Sequence, residues 1–332
     1  MKHILLSHGA GGREMGRLIQ QVFLAAYGGA AKPGDDSAVL TLTGEHLAFT
    51  TDSFVVAPLF FPGGDIGRLA VAGTVNDLLT AAARPLALSA SFILEEGLEV
   101  AALTAIAQSM AATARECGVP IVTGDTKVVP RGAADQVFIT TAGVGEVLRP
   151  GVSGAAARPG DKVILTGSAG DHGTAVMLAR ENLLQGVGLA SDAAPLTDLV
   201  LALLVEDLEV HAMRDPTRGG LAAALNEIAR QSGVAVTVEE SQVPVQPGVA
   251  AACEALGLDV FQVANEGKML IFVAPRDADR ALEVVRGRRY GQDAALIGEV
   301  LPGPPGRVLL RTPLGTTRLL DPPAGELLPR IC

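Results

Sequence analysis

Apolar and polar positions along this chain switch repeatedly between a strand-like and a helix-like period, and the switches mark its elements. Leu47-Ala48-Phe49-Thr50-Thr51 reads as a strand running into Asp52. From Asp65 to Ala82 the residues Ile66, Leu69, Ala70, Val71, Val75, Leu78 and Leu79 recur near helical spacing. Leu86 to Leu94 is strand-like, with Pro85 stopping the helix before it. Val100 to Cys117 reads as a helix ended by Gly118. Ile121-Val122-Thr123 forms a short strand that delivers Gly124-Asp125-Thr126, and Gln136 to Gly145 is another strand.

A boundary falls near Arg149-Pro150-Gly151, where Gly, Ser, Ala and Pro dominate up to Gly160. Asp161 to Gly167 then reads as a strand entering a second unit. That unit carries helical patterns around 172–184, 196–206 and 219–231, and strand patterns around 233–239, 268–274 and 295–300. The expected architecture is α/β (α+β), with units over residues 1–150 and 151–310. From Arg311 the chain holds Pro313, Pro322, Pro323 and Pro329 with little periodicity, so residues 311–332 read as an extended, flexible tail.

Composition narrows the function. With 48% hydrophobic and 19% charged residues over 332 positions, the chain can bury a substantial core. Lys and Arg number 26 against 36 Asp and Glu, a net charge of −10, which argues against nucleic-acid binding. There is no Trp and there are only two Tyr, so stacking platforms are scarce. The start of the sequence lacks the apolar run of a signal peptide, and the long apolar stretch from Leu69 is broken by Asn76, Asp77 and Arg84. A cytoplasmic protein with no membrane partner is expected.

Chemistry-bearing residues gather at element ends. Asp35, Asp36, Asp52, Asp77 and Asp125 are carboxylates without His or Cys companions, a set suited to a hard cation such as Mg²⁺ and to substrate phosphates. Taken singly, each is more simply a turn former or helix cap. Asp77, however, sits among Ala, Val and Leu, where an unpaired charge is costly. Gly9-Ala10-Gly11-Gly12-Arg13 opens a helical pattern and could offer backbone N–H groups to a phosphate, although it is neither a Walker nor a dinucleotide motif. Arg214-Asp215-Pro216-Thr217-Arg218-Gly219-Gly220 is a second glycine-containing helix start, flanked by two arginines. Glu266, at a strand entrance, is a candidate general base or an ordinary turn residue. Cys332 ends the chain on a stretch that could reach about 70 Å if fully extended. Cys117 and Cys253 lie in apolar, helix-like contexts and read as core residues.

Gly34-Asp35-Asp36-Ser37-Ala38, Thr51-Asp52-Ser53, Gly73-Thr74-Val75-Asn76-Asp77-Leu78, Gly124-Asp125-Thr126-Lys127 and Arg214 to Gly220 together resemble the ATP-binding pattern of the aminoimidazole ribonucleotide synthetase-like superfamily. Within it, Phe92 to Gly97 and Pro329-Arg330-Ile331-Cys332 are similar to the carbamoyl dehydratases of hydrogenase maturation. The resemblance implies two α/β domains and a homodimer whose paired N-terminal domains form a barrel-like interface binding ATP and Mg²⁺. It implies ATP-dependent dehydration of a carbamoyl group on the terminal cysteine to a thiocyanate, the source of cyanide for [NiFe]-hydrogenase iron. The HypF carbamoyltransferase would supply the carbamoyl group and the HypC–HypD complex would accept the product.

On this resemblance Asp36, Asp52, Asp77 and Asp125, with Asp35, would hold the metal. Gly9, Gly11, Gly12, Arg13, Asn76, Thr126, Arg214, Asp215, Arg218, Gly219 and Gly220 would surround the nucleotide. Lys127 would stabilise the oxyanion or the transferring phosphoryl group, Glu266 would take the nitrogen proton, and Cys332 would carry the substrate. Two other readings compete. A thiamine-monophosphate kinase or selenophosphate synthetase of the same superfamily would need no terminal cysteine, and a nucleotide-sensing scaffold would use the tail only to bind partners.

Overall fold

The computed structural model describes residues 2–9, 13–27, 44–183, 188–325, 328 and 330–332. Helix α1 (Arg13–Leu18) continues through a π-helical turn over Ile19–Leu24 into the short α2 (Ala25–Tyr27). Next come β1 (Leu47–Phe54), the small hairpin β2 (Phe60–Phe61) and β3 (Gly64–Asp65), α3 (Ile66–Thr80), β4 (Ala83–Glu95), α4 (Val100–Cys117), β5 (Ile121–Val129) and β6 (Val137–Val147). The larger strands form a sheet in the order β1-β6-β4-β5. Only β4 and β5 are parallel, and α4 makes the crossover that a parallel pair requires.

The polar-to-apolar switch at Asp65 starts α3 by a local device. The Asp65 side chain accepts hydrogen bonds from the amides of Gly67 (2.7 Å) and Arg68 (3.0 Å), two donors that the first helical turn leaves unpaired. Helix α3 is then buried almost all round, against the sheet on one side and α4 on another. Among the described residues nothing covers the sheet's opposite face, and Leu47, Phe49 and Ile93 lie exposed on it. Strand pairing puts Thr123, Asp125 and Lys127 of β5 on that same uncovered face, in line with Ser89, Ser91 and Ile93 of β4. Pro85, expected to end the helix before the strand, lies inside β4. A register shift between Pro85 and Ala87 absorbs its missing donor.

The second half comprises β7 (Lys162–Leu165), α5 (Asp171–Arg180), α6 (Thr197–Val205), β8 (Val210–Arg214), α7 (Gly220–Gln231), β9 (Ala235–Glu239), α8 (Pro247–Leu256), β10 (Leu270–Val273), α9 (Ala278–Arg286), β11 (Ala295–Leu301), β12 (Arg307–Arg311) and β13 (Thr317–Leu319). Seven strands form a mixed sheet in the order β13-β12-β9-β11-β7-β10-β8. The stretch expected to be a featureless tail therefore begins with a strand, since β13 pairs antiparallel to β12 and Leu320 is buried behind it.

The halves share packing. A single apolar cluster includes Leu79 and Ile139 of the first, Ile164 and Met213 of the second, and Ile331 near the end. Asn76 of α3 is fully buried at this junction. Its amide nitrogen donates to the Ala194 carbonyl (3.0 Å), and its oxygen accepts from the Leu196 amide (2.9 Å). Both ends of the side chain are engaged by backbone, so Asn76 ties the halves together instead of taking the expected place against a nucleotide. Asn76→Ala leaves two buried backbone groups unpaired and should cost about 2 kcal/mol in urea denaturation. A loss below about 0.5 kcal/mol would contradict this role.

Candidate functional site

Four carboxyl groups converge where β1, α3 and the loops after β8 and before β10 meet. Asp52 projects from β1 toward α3, where its Oδ2 lies 3.9 Å from the position that a Cβ on Gly73 would take. Asp77, one turn further along α3, accepts a hydrogen bond from the Thr50 hydroxyl at 2.9 Å. Asp215 follows the last residue of β8. Glu266 is buried in the loop before β10, and its Oε1 has no hydrogen-bond partner among the described residues.

Asn265 sets this geometry from behind. Fully buried, it accepts from the Gly170 amide at 2.7 Å and donates to the carbonyls of Pro216 (3.1 Å) and Val263 (3.2 Å). The Asn265 backbone amide also donates to the Pro216 carbonyl, which locks the Asp215 loop beside Glu266. Gly267 is required next to it, because a Cβ there would lie 1.9 Å from the Asp192 carbonyl oxygen.

The electrostatics follow from crowding like charges in a dry place. Burial pushes the Asp52 carboxyl up, although the Ser53 amide and the Arg218 charge pull the other way. Asp77 is raised by burial first and then by the charge of Asp52. Asp215 is pushed up to about 7 by burial, with Asp77 and Asp52 adding to it. Glu266 is raised well above the carboxylate range by burial and by Asp215, Asp192, Asp52 and Asp77. The nearby cations do not offset this. Arg214 is paired with Glu227, and Lys268 lies behind the site at 3.2 Å from Asp192 and 3.7 Å from Asp171.

Such a site fits a hard divalent cation, which uses one or two carboxylates and completes its shell with water and phosphate. Asp52 and Asp77 are the pair best placed for it. Among the described residues, no three His, Cys, Asp or Glu side chains form a ready-made cage.

The fold does not unite the other expected members. Asp125 and Lys127 pair with each other at 2.9 Å, exposed on β5, and the lysine pulls the Asp125 carboxyl down. They differ from Asp52 in two respects: β5 is at the far edge of the sheet, about 14 Å away at normal strand spacing, and their side chains point to the opposite face. Within one chain, Asp125 is therefore not a metal companion of Asp52 and Asp77. Thr126 is buried on the helical face of β5. Asp35, Asp36, Gly11 and Gly12 lie outside the described residues, as do the side chain of Arg13 and the surroundings of Gly9.

A cavity of about 490 Å³ opens beside this cluster, bounded by Ser53, Val55, Arg218, Gly219, Arg330 and Cys332. Gly219 and Gly220 start α7 in the left-handed region, and a Cβ on Gly220 would lie 2.6 Å from the carbonyl oxygens of Phe261 and Val263. The pair thus brings an arginine and a helix N-terminus to one wall, an arrangement suited to anions.

The opposite wall is the end of the chain. The Val55 amide donates to the Cys332 carbonyl (3.0 Å), and the Ala57 amide to the Arg330 carbonyl (3.2 Å), so the last three residues add an antiparallel extension just beyond β1. Arg330 also donates to the Val55 carbonyl and pairs with Asp135. A freely extended arm was expected; these last residues are instead docked against their own subunit. His172, Arg180, Ser191, Asp192 and Lys268 carried no local signal, because their partners are up to 159 positions away in the chain.

Residues 34–147 match the N-terminal domain of AIR synthase related proteins, and residues 158–311 match their C-terminal domain. A carbamoyl dehydratase HypE of Cupriavidus necator is 51% identical over 331 residues, covering 98% of this chain and 94% of that protein. A crystal structure of the hydrogenase maturation protein HypE in complex with ATP superposes with a TM-score of 0.96 at 48% identity, covering 99% of both chains. HypE in a solved HypE–HypF complex superposes with a TM-score of 0.81 at 47% identity, over 92% of this chain and 99% of that one.

A raised carboxyl binds more protons folded than unfolded between its two pKa values, so it makes stability fall as pH rises through that interval. For Asp215 the interval runs from about 4 to about 7. Relative to the parent, Asp215→Asn should gain stability steadily over this range and level off above it, as read by urea denaturation at a series of pH values. A pH-independent difference would show that Asp215 is not crowded by its neighbours.

Proposed function

The chain belongs to the HypE carbamoyl dehydratases, within the AIR synthase related proteins, and from that premise we propose that its own Cys332 carries the group it dehydrates, at the cost of ATP. The protein is an enzyme of hydrogenase maturation, a carbamoyl dehydratase. The observation that carries the finer reading is the docked tail: Cys332 forms one wall of the same cavity whose other wall is Arg218 and the start of α7. A small-molecule kinase has no use for a terminal thiol held there.

The chemistry explains the residues. The carbamoyl oxygen is a poor leaving group. Attack of that oxygen on the γ-phosphorus of ATP forms an O–P bond, releases ADP and converts the oxygen into a phosphate ester. Loss of the two N–H protons and departure of phosphate then leave S–C≡N on Cys332. Overall the thiocarbamate and ATP become thiocyanate, ADP and phosphate. The backbone N–H groups opening α7 and the Arg218 guanidinium hold phosphate charge, which is where phosphoryl transfer gains most of its acceleration. Mg²⁺ would be held by Asp52 and Asp77 and would neutralise the nucleotide's phosphates. Glu266, two residues beyond the cavity-lining Ala264, has an acceptor oxygen with no partner among the described residues and a raised proton affinity, the properties of a base for the nitrogen protons.

The uncovered sheet face supports the assembly part of the proposal. Phe49, Leu47 and Ile93 there would be covered by the same face of a second copy, and the homodimer would bring Lys127 and Asp125 of one copy to the phosphates of the other. HypF is the partner that supplies the carbamoyl group, as the related HypE–HypF complex supports. The HypC–HypD complex would receive the product. No helix among the described residues is long and apolar enough to cross a membrane, and we place the reaction in the cytoplasm.

Intact-mass analysis of the carbamoylated protein after ATP addition should show loss of one water, located at Cys332. A carbamate left intact after ATP has been consumed would refute the scheme. Asp77→Asn should lower ATP turnover by about two orders of magnitude or more, measured as phosphate release, with the fold retained by circular dichroism. Undiminished release would remove Asp77 from the nucleotide site.

A further inference from the structure

One buried histidine contacts the tail without itself lining the cavity. His172, in the first turn of α5, is fully buried, with its ring edge-on to Phe61 at 5.6 Å between centroids. Its Nδ1 lies 2.7 Å from the Ser191 hydroxyl and its Nε2 lies 2.7 Å from the Ile331 carbonyl oxygen. A carbonyl can only accept, so Nε2 carries the proton and Nδ1 accepts from Ser191. Ser191 Oγ in turn accepts from the Ala193 amide at 3.0 Å, which orients the hydroxyl. Burial holds the ring neutral by lowering its proton affinity.

The tail's backbone explains why a histidine is needed here. The carbonyls of Arg330 and Cys332 accept from the segment beyond β1, whereas the Ile331 carbonyl faces away from it, toward His172. At the other end of α5, Arg180 donates from Nη2 to the Arg330 carbonyl and from Nη2 and Nε to the Ala57 carbonyl. One helix thus grips the tail and the strand segment it pairs with. When the tail leaves, the Nε2 proton of His172 loses this acceptor, so departure is opposed by a group that never touches the reacting atoms.

We propose that His172 is a positioning residue: through the Ile331 carbonyl it sets the balance between the docked and released tail, and so the time Cys332 spends in the cavity. The inference rests on the tail being the substrate arm, but docking itself is measurable without ATP or a carbamoyl group. The probe is the rate at which a maleimide labels Cys332, located by mass spectrometry.

His172→Phe, which keeps the volume and removes the donor, should speed labelling about tenfold. His172→Gln, which can donate from a similar point, should stay within about twofold of the parent. Ser191→Ala frees the ring tautomer and should fall between them. On the carbamoylated protein, the single-turnover rate of dehydration should fall in the order opposite to labelling, with nucleotide affinity unchanged. Unaltered labelling in a folded His172→Phe protein would overturn the proposal, as would a Gln variant labelled as fast as the Phe variant. If His172→Phe does not fold, an unchanged labelling rate in Ser191→Ala would do the same. Faster labelling with no dehydration in any variant, the parent included, would leave His172 as the latch and reject the dehydratase reading of the tail.

Discussion

Two backbone hydrogen bonds carry most of the functional weight of this fold: Val55 to Cys332 and Ala57 to Arg330. They register the last three residues against the segment that continues β1, the strand that also bears Asp52. A sulfur at the end of a chain has no fixed position of its own, and a loose tail would spread it over a large volume. Pairing it with a strand of the catalytic unit converts that freedom into one place beside one cavity, the entropic gain that a reaction between tethered groups requires. The side chains then reinforce the backbone. Ile331 is buried in the shared apolar cluster, Arg330 reaches Asp135, and α5 closes over the other side.

The second constraint is charge. Burial raises the proton affinity of Asp52, Asp77, Asp215 and Glu266, and the charges of Asp52, Asp77 and Asp215 add to it within the group. An arrangement of this kind opposes folding unless a ligand repairs it, and local cost of that sort is commonly a mark of function. On the proposed reading, a nucleotide with its divalent cation would supply charge where the protein is deficient, and the Arg218 side chain with the start of α7 would receive the phosphates. The Glu266 oxygen that has no hydrogen-bond partner among the described residues fits the same proposal, since a base would need to keep an acceptor atom free.

Much of this was legible in the residue pattern where the physics is local. Helices α3, α4 and α7 and strands β1, β5 and β6 follow from periodicity and from caps such as Asp65 and Gly118, which act within a few residues. Asp77 stood out because a carboxylate inside an apolar helix needs a reason. What escaped was long-range. The alternation of β5 does not reveal that Asp125 and Lys127 face away from Asp52, because that depends on strand order, which no single strand encodes. Asn76 looked like part of a nucleotide motif, yet its partners Ala194 and Leu196 are in the other half. Proline-rich residues after Arg311 suggested a featureless tail, but β13 finds a partner in β12 and the terminal tripeptide one beyond β1. His172 carried no signal at all, since its significance lies in a carbonyl 159 residues away.

The most direct measurement of the central claim is amide hydrogen exchange at Val55 and Ala57 in the full chain and in a chain lacking Arg330, Ile331 and Cys332. If the tail completes this edge, both amides exchange slowly in the full chain and become fast on truncation, while the interior of β4 is unaffected. Equal protection in the two proteins would show that the tail does not reside there, and the account of Cys332 as a substrate held at the cavity would fail.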